Sequence, residues 1–555
     1  MVAPEVIASI IMHSLPSGRI VSTSPGRATF TTALVIFLVL GALTTLWSLA
    51  SPLMTVPDEP AHAIKAAAVA RGQFQAQSSS KQGDPLIVQV PAYIAKLGEQ
   101  TCTAFKSNVT AGCAPEIDGS DRQLTAAATT AGNYNPFYYL FAGLPSRLLT
   151  GGPALYATRI VSGLLTAVFL TMSFVAAARM QHRQWPLIAS TVALTPMALY
   201  LSGSINPNSL EVAATAAFFL CLCVVLENSR SLASVRAFLI CMGLAGFALA
   251  NTRALSLLWL ATALIVALII YGWRPLVAIV RDGLGLAMTG LAVLGSVLGL
   301  IWLVIADSFK SLIGVPVSIT PDQAFVTMLD RTFDYVSGYI GLMGWIDTPA
   351  PSGVQILFHF AFAALLVASL TARRLRNRLA LLPVIIGALM APPLLQSQVI
   401  EELGYIWQGR YLLAMVVLLL LTCGVAMAGD PFTGSSAAKR LSPWLLGMAV
   451  TAHAYAFLYL LRRYTVGIFP LHTNWTEMSE PLWQPPLTWQ VLSTIYILVL
   501  TLGAVLIHRS LFPASSSFPG PTSGGLAQGN CAPTESATRL DSPGQVAAPG
   551  DRGSS

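Results

Sequence analysis

Pro57-Asp58-Glu59-Pro60-Ala61-His62 puts two adjacent carboxyl groups and an imidazole directly after a long apolar run. Acid, acid and histidine at one membrane surface can take a proton from a hydroxyl as general base, or hold a divalent cation. Pro60 suits the first turn of a helix, with Asp58 or Glu59 at its N-terminus, and the residues through about Gly72 are Ala-rich and helix-prone. His62 then follows Asp58 by four residues and shares its face if the helix starts early. A capped helix with solvated charges has the same pattern. Asp58, Glu59 and His62 are thus candidate catalytic residues, and Asp58 and Glu59 candidate ligands for Mg or Mn.

Other polar groups stand where apolar runs end. Arg410, in Gln408-Gly409-Arg410-Tyr411, directly precedes one run, and Arg253 lies in the very short turn Asn251-Thr252-Arg253. An arginine at the edge of the hydrocarbon grips a phosphate with two parallel hydrogen bonds, or snorkels to lipid headgroups. Two Asn-Pro steps, at Asn135 and at Asn206-Pro207-Asn208, start turns and helices, and their amides also suit sugar hydroxyls. Glu211, just inside the next run, is costly unless it faces a cavity or a partner. Gly341-Leu342-Met343-Gly344-Trp345-Ile346-Asp347 mixes glycine, an aromatic and an acid, so Trp345 and Asp347 suit sugar binding or an interfacial helix. No P-loop, GxGxxG, GxSxG or HExxH pattern occurs, which argues against nucleotide-driven transport and the common hydrolases.

The elements that must position these residues are membrane spans. Of 555 residues 54% are apolar and 10% charged, against about 25% charged in soluble domains. Apolar runs long enough to cross a bilayer as helix recur at roughly 29–50, 154–178, 186–203, 207–226, 236–251, 254–272, 283–306, 353–371, 379–396, 411–428, 442–461 and 488–507. The expected fold is therefore an all-α polytopic membrane protein of about twelve spans. Phe137 to Leu149 holds Pro145 and Arg147 and reads as an interfacial or re-entrant segment. A cytoplasmic N-terminus places Arg179, Arg183, Arg230, Arg236, Arg274, Arg281, Arg373, Arg374, Arg376, Arg378, Lys439 and Arg440 in inner loops. The short outer loops then keep only Arg253 and Arg410, as the positive-inside rule requires, and both termini are cytoplasmic.

Residues 1–28 form the N-terminal segment and 29–508 the membrane domain. Its extracytoplasmic loops are 51–136, 307–352 and 462–487. The tail from 509 to 555 is rich in Ser, Gly and Pro and reads as disordered. Cys102 and Cys113 in the first loop are placed to form a disulfide on an outer face. The formal charge of +7 is spread over loops, without the basic stripe of a nucleic-acid binder.

Four stretches carry a family resemblance: Pro57 to His62, Asn135-Pro136-Phe137-Tyr138-Tyr139, Gly341 to Asp347, and Gln408-Gly409-Arg410-Tyr411-Leu412-Leu413. In this order, on this span pattern and over most of residues 30–430, the chain resembles the DUF2142 family of bacterial membrane proteins. One departure is Asn135-Pro136-Phe137, where that family often reads Asn-Pro-Pro. The family is in turn similar to the GT-C glycosyltransferases, which move a sugar from a polyprenyl-phosphate donor to an acceptor outside the cytoplasm. These enzymes commonly place an acid or acid pair in the first outer loop, as Asp58 and Glu59 stand here. The resemblance implies a GT-C-like fold in the bacterial cell membrane, hexosyl or pentosyl transfer, and three partners: membrane lipid, a polyprenyl-phosphate donor and a glycan or glycolipid acceptor. It also implies roles. Asp58 is the base, Glu59 or His62 orients it, and Arg410 with Arg253 stabilises the departing phosphate from across one cavity, since an inverting attack needs base and leaving group on opposite faces. Competing readings are a transporter or flippase of lipid-linked sugars, and a non-catalytic scaffold for envelope assembly.

Overall fold

Helices account for nearly all regular structure in the computed structural model, which describes residues 25–77, 86–307, 315–429, 436–469 and 473–512. Among the described residues ten helices are long and apolar enough to cross a membrane, and twelve if each of two bent pairs is one span. All twelve expected runs coincide with these elements.

Helix α1 (Pro25–Ala50) leads into the Asp58 segment and then into α2 (Glu59–Val69). The rest of the first loop holds a feature that the apolar pattern does not reveal, an antiparallel hairpin of β1 (Leu86–Pro91) and β2 (Leu124–Thr129), paired from Leu86 with Thr129 to Pro91 with Leu124. It packs on α2. The stretch 137–149 forms two short helices, α3 (Phe137–Ala142) and Pro145–Leu148, each much shorter than a span. At Gly143, between them, a Cβ would lie 2.1 Å from the carbonyl oxygen of Ala66, so only glycine lets this segment cross α2 so closely.

Helix α4 (Gly151–Arg179) packs against α1 and against α5 (Pro207–Glu227). Helix α5 is predominantly apolar, and every residue from Pro207 to Leu226 is buried. Such a helix belongs inside a bundle. By contrast Gly283–Ile305 buries only Gly285, Gly295 and Gly299 and turns most of its leucines and valines outward, as a lipid-facing span does.

The two bent pairs have local causes. Gln184–Ala193 and Pro196–Ser202 meet at 65°, because Pro196 supplies no amide to the preceding turn. Ser256–Tyr271 and Arg274–Arg281 meet at 112° across Gly272, whose φ is 82°. One end of the bundle collects the C-terminus of α1, the N-terminus of α5, the turn at 251–255 and the 3-10 turn Gly409–Leu412, so residues far apart in sequence become neighbours there.

Candidate functional site

Asp58 occupies the N-cap of α2 with left-handed backbone angles (φ 65°, ψ 0°), and its side chain does not cap the helix. The carboxylate is thereby free to reach out of the helix. Arg410 Nη2 donates to its Oδ2 at 2.5 Å, and Arg410 Nη1 donates to the carbonyl of Pro57 at 3.1 Å. The Arg410 side chain is 3% exposed while that of Asp58 keeps 43% of its surface. The ion pair thus has a buried cation and an open anion. Burial pushes the Asp58 carboxyl up, but Arg410, His62 and Arg253 together outweigh it and hold it below its ordinary value.

His62 follows one helical turn later and is buried. Its Nδ1 shares a 2.7 Å hydrogen bond with the Tyr139 hydroxyl, and its ring lies 5.5 Å from that of Tyr134. Burial depresses the imidazole to about 3, against the pull of Asp58, so it is neutral at pH 7. It backs the carboxylate rather than facing solvent.

Tyr411 joins the two arginines. The guanidinium carbon of Arg410 lies 5.3 Å from its ring centroid and that of Arg253 lies 5.2 Å away. Cations gather over a π face in this way. Arg253 is held from behind by Glu211, which accepts from Arg253 Nη1 at 3.0 Å, from the Ser256 hydroxyl at 2.8 Å and from the Trp259 indole at 3.0 Å. Glu211 therefore has the partner that its depth requires. Among the described residues, the buried polar atoms without a hydrogen-bond partner include Asn208 Nδ2, Arg410 Nε and Gln408 Oε1. Asn208 precedes Glu211 by three residues on α5 and so lies on the same face, toward Arg253.

Several expectations are corrected. Glu59 does not stand beside Asp58. Its carboxylate is fully buried against Arg159, with Arg159 Nε on Oε1 at 2.6 Å and Nη2 on Oε2 at 2.5 Å. The amide of Ile205 also donates to Glu59. Both oxygens are taken, so Glu59 is neither base nor cation ligand. Among the described residues no group of three His, Cys, Asp or Glu side chains can hold a metal ion. Asp58 alone of the acid pair faces the opening.

Asn135 is consumed at both ends, accepting from the Phe137 amide and donating to Asn251 Oδ1. Asn206 caps α5 by accepting from the Asn208 amide and lies 3.5 Å from the Pro57 carbonyl, so both amides do structural work. Trp345 donates to the Met54 carbonyl at 3.2 Å, and Asp347 binds Arg463 at 3.2 Å. These two contacts hold loops together. Asp58 and Arg410 touch directly, where they were expected across a cavity from each other. Cys102 and Cys113 are joined as a disulfide.

Arg159 is a residue that sequence reasoning missed. It sits on α4 with no exposed surface and also donates to the carbonyls of Ser48, Ser51 and Pro52. The signal was a single cation inside an apolar run, which demands a buried partner. Breaking such a pair leaves a charge unmatched at a cost of about 3–5 kcal/mol. Tyr134 and Tyr139 were also missed as site walls.

Helical spans enclosing a half-open carboxylate, two tyrosine-linked arginines and a neutral histidine define a polytopic membrane protein with a built polar site at one end. A family model, "Predicted membrane protein (DUF2142)", matches residues 40–419, and the chain belongs to that family. No curated protein matches the sequence. The solved structures that are similar include two of ArnT from Cupriavidus metallidurans. The apo crystal structure is 14% identical, and the one bound to undecaprenyl phosphate is 13% identical. Each comparison covers 86% of this chain and 77% of the other, with a TM-score of 0.39. Backbone likeness at that level transfers no function.

Proposed function

We propose that the protein is a membrane glycosyltransferase moving a sugar from a polyprenyl-phosphate donor to a hydroxyl of an extracytoplasmic envelope acceptor. One observation carries the reading: a carboxylate open on one side is paired with Arg410, and Arg410 and Arg253 both lie by the Tyr411 ring, where the bundle ends. Such a transfer uses a carboxylate base and a cationic seat for a lipid-borne phosphate, and an inverting attack requires the two to part to opposite faces of the sugar once the donor is seated. The Cys102–Cys113 disulfide supports an oxidising compartment for this end, as does the placement of Lys and Arg in the loops opposite.

Asp58 takes the acceptor hydroxyl proton, and the acceptor oxygen bonds to the anomeric carbon. The bond from that carbon to the phosphate oxygen breaks with its electron pair, leaving polyprenyl phosphate. Arg253 and Arg410 stabilise the charge that gathers there, and Asn208 Nδ2 is a further donor at hand. The direct Asp58–Arg410 contact is then a resting arrangement. A donor phosphate competes for Arg410, the largest of the influences that lower the acidity range of Asp58. Drawing Arg410 away makes the carboxylate a better base once the donor is seated.

The test uses purified protein in nanodiscs with a panel of radiolabelled polyprenyl-phosphate sugars and membrane acceptors. Wild type is compared with Asp58→Asn, with folding checked in both. Transfer by the wild type that is lost in the variant supports the reading. Equal transfer in both removes Asp58 as the base. No transfer across a broad panel overturns the enzymatic reading in favour of transport or scaffolding.

A further inference from the structure

Arg463 lies at the end of a membrane helix with 1% of its side chain exposed, yet a single carboxylate is only part of its surroundings. Its guanidinium donates to three backbone carbonyls of one small loop: Val109 at 2.5 Å from Nη1, with Lys106 at 2.9 Å and Thr103 at 3.0 Å from Nη2. Nη2 also meets Asp347 Oδ2 at 3.2 Å. The three carbonyls fall within the loop closed by Cys102 and Cys113. Successive turns shape this stretch, with the amides of Lys106 and Val109 donating to the carbonyls of Thr103 and Lys106, and the disulfide closes it into a loop.

Further contacts lead from the cradle and its neighbours to the Asp58 segment. Phe105 sets its ring edge on Trp345, with centroids 5.8 Å apart, and Trp345 donates to the Met54 carbonyl. Tyr464, next to Arg463, places its hydroxyl 3.4 Å from the Thr55 carbonyl. Tyr200 lies 3.3 Å from the carbonyls of both Thr55 and Gly344. Left-handed backbone at non-glycine residues is concentrated here. Met54, Asp58, Phe105 and Ile346 all have φ between 59° and 65°. Residues in that region persist when their surroundings over-determine them, and for Met54 and Asp58 the surroundings include the clamped loop.

We propose that the Cys102–Cys113 loop is a redox-sensitive clamp: it grips Arg463 and Trp345 and through them fixes the segment Met54–Asp58 that presents the carboxylate. Cys113 is exposed, so a small dithiol can reach the bond. Attack by its thiolate breaks the S–S bond. The two cysteines leave as thiols and the dithiol is oxidised to its own disulfide. The loop loses its closure, the carbonyl cradle opens, and Arg463 keeps only Asp347. The inference rests on the glycosyltransferase reading only for what the site does; the clamp itself is independent of it.

Hydrogen exchange read by mass spectrometry tests the clamp without an activity assay. Full-length protein in nanodiscs is compared oxidised and after excess dithiothreitol, with the thiol state of the peptide covering 102–113 read by mass. Exchange should rise about tenfold in 103–113, in 342–348 and in 52–58, while α5 keeps its protection. Arg463→Lys, which retains the charge but cannot span three carbonyls and a carboxylate, should raise exchange at 52–58 with the disulfide intact. Loosening confined to 103–113 overturns the proposal. So do loss of protection through α5, a disulfide that resists excess dithiol, and an Arg463→Lys variant exchanging like the wild type.

Discussion

At the scale of the residue, the site separates charge by burial. Asp58 is depressed and half-open, His62 is depressed and buried, and the two titrate in different windows. A carboxyl whose folded value lies below the ordinary 3.8 contributes stability that is present above 3.8 and lost only as pH falls below it. A histidine held at about 3 against the usual 6.5 leaves the unfolded chain binding the extra proton between those values, so stability falls as pH drops from 6.5. Between pH 6.5 and 3.8 the His62 contribution therefore stands clear of that of Asp58. Thermal unfolding in nanodiscs should show Tm falling more steeply over this window in wild type than in His62→Gln, and parallel curves would sink the assignment. Little of this was legible in sequence. The spacing of Asp58 and His62 was visible, but the choice between Asp58 and Glu59 depended on Arg159, a partner 100 positions from Glu59. The asparagines at 135 and 206 had a capping and a sugar-binding reading, and local geometry selects the first.

At the scale of the element, every span was readable because lipid imposes a minimum length and apolarity on each run. The hairpin of β1 and β2 was not, since β2 is mostly alanine and threonine and its pairing is set by contact with α2. The meeting of Asp58 with Arg410, 352 positions apart, is likewise a product of packing. That packing is tight where the 3-10 turn Gly409–Leu412 passes the second loop. A Cβ on Gly409 would lie 2.3 Å from the Tyr335 oxygen. Gly409→Ala must shift the turn and carry Arg410 with it, leaving all charges in place. A misplacement of about 1 Å at a reacting centre costs about 10²-fold in rate. The transfer rate should therefore fall by about 10²-fold with helix content unchanged, and a rate within about twofold of wild type would count against Arg410 as part of the machinery.

At the scale of the whole molecule, the polar site, the disulfide and the 102–113 cradle share one end of the bundle, and the proposed function requires that end to face outside the cytoplasm. Ser120 is exposed in the first loop, so Ser120→Cys should be labelled by a membrane-impermeant maleimide in intact cells. Labelling only after permeabilisation would invert the topology. The buried axis helix α5 has a consequence for how the protein is made. Pro207–Glu227 first meets lipid on every side, although Asn208, Glu211 and Thr215 share one face that needs polar partners. Its place at the centre is acquired afterwards, when the helices on either side of it in sequence associate and displace that lipid. Glu211 reaches Arg253, Ser256 and Trp259 only when the two following spans have been synthesised and docked. The cationic seat is thus completed late in biogenesis, after the segment that carries Asp58 has long been in the membrane.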